Sequence, residues 1–162
     1  MMTAAVLTVS DSAARGERED LSGPAVADLL VRHGFDVCLR RVVPDEQKEI
    51  ESALVQMAEQ AQLVMTTGGT GIAERDVTPE ATRAVCSRMI EGLSEKMRAA
   101  GLATTPYAVL SRGVCGVRGK SLILNLPGSP KGATQSLAAV VDILPHAIDL
   151  LAGNTTHGEG HP

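Results

Sequence analysis

The sequence predicts an α/β fold with three layers, a mainly parallel sheet covered by helices on both faces. Three observations lead there. Short apolar runs rich in β-branched residues end at polar, turn-prone residues; these runs alternate with segments of helical spacing along most of the chain; and glycine- or proline-rich turns follow the runs. A chain of 162 residues with 44% hydrophobic and 21% charged residues has the profile of one globular domain, and its length allows a core that needs no disulfide or metal staple. The expected division is a single domain over residues 1–152 and a frayed tail over 153–162.

The elements follow in order. Ala4 to Val9 is a buried strand delivering Ser10 and Asp11 at its carboxyl end, and Ser12 to Leu21 is polar enough for a mobile loop. A helix capped at Ser22, with Pro24 in its first turn, carries Val26, Leu29 and Leu30 on one face and ends at Gly34. Phe35 to Val43 is the second strand. Pro44-Asp45-Glu46 opens a helix in which Ile50, Leu54, Met57 and Ala61 recur at helical spacing. Leu63 to Thr67 is a strand running straight into Gly68-Gly69-Thr70-Gly71. Thr78-Pro79 caps the next helix, with Ala81, Val85 and Met89 inward, and helical composition continues from Glu91 to Ala100. Val109-Leu110 and Ser121 to Leu126 are the later strands. One last helix runs from the Pro127–Pro130 turn to Leu151 with a break at Pro145.

Composition excludes several functions. A net charge of −4 without a basic run argues against a phosphate backbone as partner, and Tyr107 and Phe35, the only aromatics, cannot build a base-stacking platform. No nucleic-acid partner is expected. Cys38, Cys86 and Cys115 are odd in number and far apart, which points to free thiols and a reducing cytoplasm. The apolar opening run is too short to span a membrane, so no membrane association is expected.

In open α/β sheets ligands collect at the carboxyl ends of strands, which singles out Ser10-Asp11, Asp45, Gly68 to Asp76, and Pro127 to Lys131. Thr67-Gly68-Gly69-Thr70-Gly71 offers backbone N–H groups and hydroxyls to an anion, although a tight turn explains a glycine cluster equally well. It is neither a Walker A loop nor a dinucleotide fingerprint. Asp76 is a Mg²⁺ ligand or a helix cap, and Thr78 can already cap, which tilts Asp76 towards function. Asp45 alone reads better as an N-cap, but two aspartates at strand ends facing one crevice would suit Mg²⁺ bound to a phosphorylated substrate. Pro127-Gly128-Ser129-Pro130-Lys131 begins a helix and favours an anion through free N–H groups, the helix dipole and Lys131.

Taken together, Val9-Ser10-Asp11-Ser12, Asp20-Leu21-Ser22-Gly23, Pro44-Asp45-Glu46, the Thr66–Gly71 loop, Arg75-Asp76-Val77-Thr78-Pro79-Glu80-Ala81 and Leu126–Lys131 resemble the MogA/MoaB family of molybdenum cofactor biosynthesis, in order, from Thr3 to about Gly153. The resemblance implies the molybdopterin-binding fold and a molybdopterin adenylyltransferase, which transfers AMP from ATP to the molybdopterin phosphate and releases pyrophosphate, with Mg²⁺ required. It assigns catalysis and metal binding to Asp45 and Asp76. It places Ser10, Asp11, Ser22, Gly23, the Thr67–Gly71 loop with Gly68, Gly69 and Thr70, Glu95, Ser111, Arg112, and Pro127, Gly128, Ser129 and Lys131 along the pterin and nucleotide pocket. A homotrimer or hexamer and a molybdenum insertase as partner are further implications. Two other readings share the resemblance: a non-catalytic molybdopterin carrier, and a nucleotide-processing enzyme of the competence-damage type.

Overall fold

The computed structural model describes residues 1–154; the expected tail falls mostly outside the described residues. Six strands form one sheet in the order β2-β1-β3-β6-β5-β4. Strands β1 (Thr3–Val9), β2 (Asp36–Val43), β3 (Leu63–Thr67) and β6 (Ser121–Leu126) are parallel, and β5 (Cys115–Arg118) and β4 (Arg88–Met89) close one edge in antiparallel fashion. The mainly parallel, three-layer expectation therefore holds.

Strand alternation splits the core in two. Ala4, Val6, Leu63, Met65, Leu122 and Leu124 meet α2 (Ser22–Arg32), α5 (Glu91–Gly101), α6 (Pro130–Val140) and α7 (Leu144–Leu151). Ala5, Leu7, Val9, Val64 and Ile123 meet α3 (Gln47–Gln60) and α4 (Thr78–Val85) on the opposite face. Both faces are dry, which is why β1, β3 and β6 read as nearly unbroken apolar runs.

The chain departs from the sequence reading at element ends. The segment after β1 is not all loop: Ser10 caps a one-turn helix, α1 (Asp11–Ala14), by accepting from the Ala13 N–H at 3.2 Å. Leu21, not Ser22, is the N-cap of α2, and the Asp20 carboxylate does the capping by accepting from the Gly23 N–H at 3.0 Å. Helix α4 stops at Val85, and Met89 lies on β4 instead of the helix's inner face. The Ser87 and Ile90 N–H groups donate to Val117 and Cys115 carbonyls, so β5 pulls this stretch into the sheet. Val109-Leu110 is not a strand but the end of a 3₁₀ turn, Pro106–Leu110, begun by Thr105 and fixed by Pro106. The last helix is two, because Val141–Ile143 breaks it and Pro145 sits in the first turn of α7, where its missing N–H costs nothing.

Two buried polar contacts tie the sheet to the helices. Asn125 on β6 donates from Nδ2 to the Thr66 hydroxyl at 3.0 Å and the Thr82 hydroxyl at 2.9 Å, and its Oδ1 accepts from the Val114 N–H at 3.1 Å. The Ser121 hydroxyl lies 2.7 Å from the carbonyls of both Ala58 and Ala61 at the end of α3.

Candidate functional site

The connection β1-α2-β2 runs to one side of β1, and β2-α3-β3 returns across it, so the strand order reverses between β1 and β3. Such a reversal opens a crevice at the strands' carboxyl ends. Here it holds a cleft of about 420 Å³ whose walls come from the ends of β1, β2 and β3, the start of α2 and the turn before α6. Ser10, Ser22, Asp45, Thr67, Gly68, Gly69, Asp76, Gly128 and Ser129 line it, joining nine of the residues singled out in the sequence.

The floor is made by close backbone approach. Gly68 has φ +102°, and a Cβ there would lie 2.2 Å from the Val9 carbonyl oxygen. At Gly69, φ is +68° and a Cβ would lie 2.3 Å from Thr78 Oγ1 and 3.1 Å from Asp45 Oδ1. Only glycine fits at either place. Thr78 holds the loop from below: its hydroxyl donates to the Gly68 carbonyl at 3.0 Å and its N–H to the Gly69 carbonyl at 3.1 Å. The Thr67 hydroxyl donates to the Pro127 carbonyl at 2.7 Å, tying the glycine loop to the turn on the far wall.

This arrangement revises three cap assignments. Asp45 is not the N-cap of α3, which is Glu46; Asp45 Oδ2 instead accepts from the Asp11 N–H at 2.9 Å, while the Asp45 N–H donates to Asp11 Oδ1 at 3.0 Å. The reciprocal pair locks the ends of β1 and β2 together. Thr78 does not cap α4 either, since Val77 is the N-cap and the Thr78 hydroxyl is spent on Gly68. Asp76 leaves α4 uncapped as well: its Oδ2 accepts from the Ala73 N–H at 3.0 Å and folds the loop back on itself. Neither Thr78 nor Asp76 caps α4, so no redundant cap sets Asp76 apart, and its carboxylate is used within the protein to hold the Ala73 N–H.

Electrostatics sharpen the picture. Burial pushes Asp45 above the ordinary carboxylate value, the Asp11 N–H pulls it down, and the charges of Asp11 and Asp76 push it up again. Asp11 is held at about 2, chiefly by the Arg75 side chain, which donates Nε to Oδ2 at 2.7 Å and Nη2 to Oδ1 at 3.0 Å. Arg75 also bridges to Glu46 at 2.9 Å. Its charge is thus committed behind the cleft, and Asp45 and Asp76 face the cleft as two carboxylates without a cation bound to either side chain. Each has one oxygen engaged by a backbone N–H and a second with no hydrogen bond to the described residues. Among those residues no cluster of three or more His, Cys, Asp or Glu is placed to hold a metal. Two carboxylates suit a hard divalent cation whose remaining ligands are phosphate oxygens and water.

The other expected site residues lie apart from the floor. Gly23 packs behind Ser22, where a Cβ would lie 2.4 Å from Asp20 Oδ2 and 2.5 Å from Thr8 Oγ1. Thr70 is buried, and Gly71 sits against Asp76. Arg112 acts from behind: Nε donates to the Gly71 carbonyl at 2.8 Å, Nη2 to the Asp76 carbonyl at 2.7 Å, and Nη1 pairs with Glu80 at 2.7 Å. It braces the loop instead of lining the cleft. Ser111 and Pro127 line a second chamber of about 210 Å³, which shares Ser129 with the cleft and is walled by Met97, Ala108, Asn125 and Tyr107. Glu95 is exposed and lines a third cavity beside Arg83, and that cavity borders the second chamber at Ser94, Arg98 and Gly113. Lys131 is exposed in the first turn of α6 and lines none of these three cavities.

Sequence reasoning passed over Thr8, Asp20, Arg18 and Asn125. Asp20 was visible in the motif Asp20-Leu21-Ser22-Gly23, but its bond to the Thr8 hydroxyl at 2.8 Å joins residues on separate elements and had no local signal.

A family model described as a probable molybdopterin binding domain matches residues 5–146. The chain belongs to that family. A molybdopterin adenylyltransferase of Helicobacter pylori (strain J99) is 46% identical over 153 residues, spanning 92% of this chain and 87% of that protein. The molybdopterin adenylyltransferase of Escherichia coli K12 is 39% identical, spanning 91% and 84%. Among solved structures, the molybdopterin biosynthesis enzyme MoaB from Thermus thermophilus superposes with a TM-score of 0.89 at 51% identity, covering 94% of this chain and 98% of that one. The fold expected from the resemblance is thus the one observed.

Proposed function

We propose that this protein is a molybdopterin adenylyltransferase, transferring AMP from ATP to the terminal phosphate of molybdopterin with release of pyrophosphate. The observation that carries the reading is the meeting of Asp45 and Asp76 over the Gly68-Gly69 floor of one cleft, in a chain of the molybdopterin-binding family. Relatives named for this reaction support it.

The reaction joins two anions and needs no protein nucleophile. A phosphate oxygen of the pterin bonds to the α-phosphorus of ATP, and the bond from that phosphorus to the β-bridging oxygen breaks with its electron pair leaving on pyrophosphate. What the protein must supply is in-line placement and charge neutralisation. Asp45 and Asp76 are the residues that would hold Mg²⁺, and when bound the ion would neutralise phosphate charge at the reacting centre. The Gly68-Gly69 turn lets phosphate approach the backbone closely, and Ser10, Ser22 and Ser129 offer hydroxyls along the walls. The adjoining chamber, with apolar Met97 and Ala108 in its wall and polar Ser111 and Asn125, suits the fused ring of the pterin. Ser129 on the shared wall then marks where the two substrates meet.

This reading takes the protein as cytoplasmic and as a homotrimer or hexamer that hands its product to a molybdenum insertase. The test is the mass of the product formed from ATP, Mg²⁺ and molybdopterin, beside Asp76→Asn. Adenylylated pterin from the unaltered protein and a loss of about 100-fold or more in the variant is the expected result. Tight pterin binding without product would favour a carrier.

A further inference from the structure

Four carboxylates line the cleft, Glu19, Asp20, Asp45 and Asp76, and a triphosphate brought among them meets strong like-charge repulsion. The guanidinium groups nearest the site are already engaged. Arg75 is spent on Asp11 and Glu46, Arg112 on Glu80 and two loop carbonyls, and Arg15 on Glu17 at 3.1 Å. Lys131 does not line the cleft. One cation remains in its wall, Arg18, and it makes no hydrogen bond or ion pair to any described residue.

Resting on the adenylyltransferase reading, we propose that Arg18 is the residue that holds the β- and γ-phosphates of ATP and stabilises the departing pyrophosphate. Arg18 stands between α1 and α2, within three residues of Asp20 and Leu21 in the cleft wall. The adenylyl phosphorus must lie at Asp45 and Asp76, where the pterin phosphate can reach it, so the two outer phosphates extend along the rest of the cleft. Arg18 is the one group there whose charge matches them. A guanidinium offers several N–H donors in a planar fork and stays charged at every working pH, which suits adjacent phosphates. Its position on a loop lets it engage ATP and release pyrophosphate without disturbing the sheet. The segment's sequence, Arg15-Gly16-Glu17-Arg18-Glu19-Asp20, reads as a generic charged loop, and only the fold puts Arg18, and not Arg15, in the cleft wall.

The test compares equilibrium binding of ATP, ADP and AMP, with Mg²⁺, to the full chain and to Arg18→Ala and Arg18→Lys, alongside steady-state kinetics. In Arg18→Ala, ATP affinity should fall about tenfold or more and AMP affinity should stay within twofold; Arg18→Lys should recover part of the loss. KM for ATP should rise while KM for molybdopterin does not. The thermal midpoint should be unchanged, because the Arg18 side chain makes no hydrogen bond or ion pair among the described residues. Equal losses for ATP and AMP, or no loss for either, would overturn the role of Arg18 while leaving the adenylyltransferase reading intact. An unaltered protein that binds no ATP and forms no adenylylated pterin would overturn both.

Discussion

Replacing Gly68 by alanine tests how the cleft floor is built. The residue sits at φ +102°, where a side chain costs about 1–2 kcal/mol on conformational grounds. Its Cβ would also lie 2.2 Å from the Val9 carbonyl oxygen, a backbone atom at the end of β1 that cannot swing aside as a side-chain tip could. Relief requires the ends of β1 and β3 to part by about 1 Å, an overpacking strain of about 1–3 kcal/mol. The unfolded chain loses entropy in the variant, which offsets about 0.4–1 kcal/mol. Gly68→Ala should therefore destabilise by about 1–4.5 kcal/mol. Gly92→Ala is the control: Gly92 lies in the first turn of α5, exposed, with nothing within 4 Å of its would-be Cβ, and should gain about 0.5–1 kcal/mol. Urea unfolding followed by far-ultraviolet circular dichroism at matched protein concentration measures both, the chain having no tryptophan. Where folded, Gly68→Ala should also bind ATP more weakly, since Val9 and Gly68 both line the cleft. A loss below about 1 kcal/mol, or the same sign of change in both variants, would refute the account of the floor.

Asn125→Leu removes three buried hydrogen bonds and leaves the Val114 N–H unpartnered, and should cost about 3–5 kcal/mol by urea unfolding, with Thr82→Val costing less. Arg112→Ala should leave the core intact and speed amide hydrogen exchange over residues 70–76, because its guanidinium holds the Gly71 and Asp76 carbonyls. Asp11 is lowered from 3.8 to about 2, first by the Arg75 hydrogen bond and next by the Asp45 N–H, so the stabilisation is present above about pH 4 and is lost as pH falls through 2. The thermal midpoint of Arg75→Ala should accordingly lie below that of the unaltered protein near neutrality, with the gap narrowing as pH falls through about 2.

Strands β1, β3 and β6 were legible because each is buried on both faces, and a strand with no wet side carries an apolar run visible without any neighbour. Cys115-Gly116-Val117-Arg118 was not legible as β5, being four residues with a glycine inside. That glycine is there because a Cβ would lie 2.7 Å from Cys86 Sγ, a contact made only once α4 and the sheet are assembled. Strand β4 has two residues and exists only through its pairing with β5. Burial by these elements also pushes the Cys86 and Cys115 thiols up to about 11.

For the site, local sequence determined the glycine loop, the strand-end aspartates and the turn before α6, because each depends on a few consecutive residues and a strand's end. It could not decide what those groups touch. Asp45 looks like a cap until Asp11, 34 residues away, presents its N–H. Arg112 and Glu95 read locally as surface charges and were placed along the pocket by resemblance alone; the fold spends Arg112 on Glu80 and the loop carbonyls and sets Glu95 in a cavity beside Arg83 and Arg98. Backbone conformation and burial are written in neighbouring residues, so the chain by itself determined the fold class and the ends of the strands where chemistry collects. Which charges are spent on the protein and which are left for a ligand depends on partners distant in sequence, and only the tertiary structure decided that.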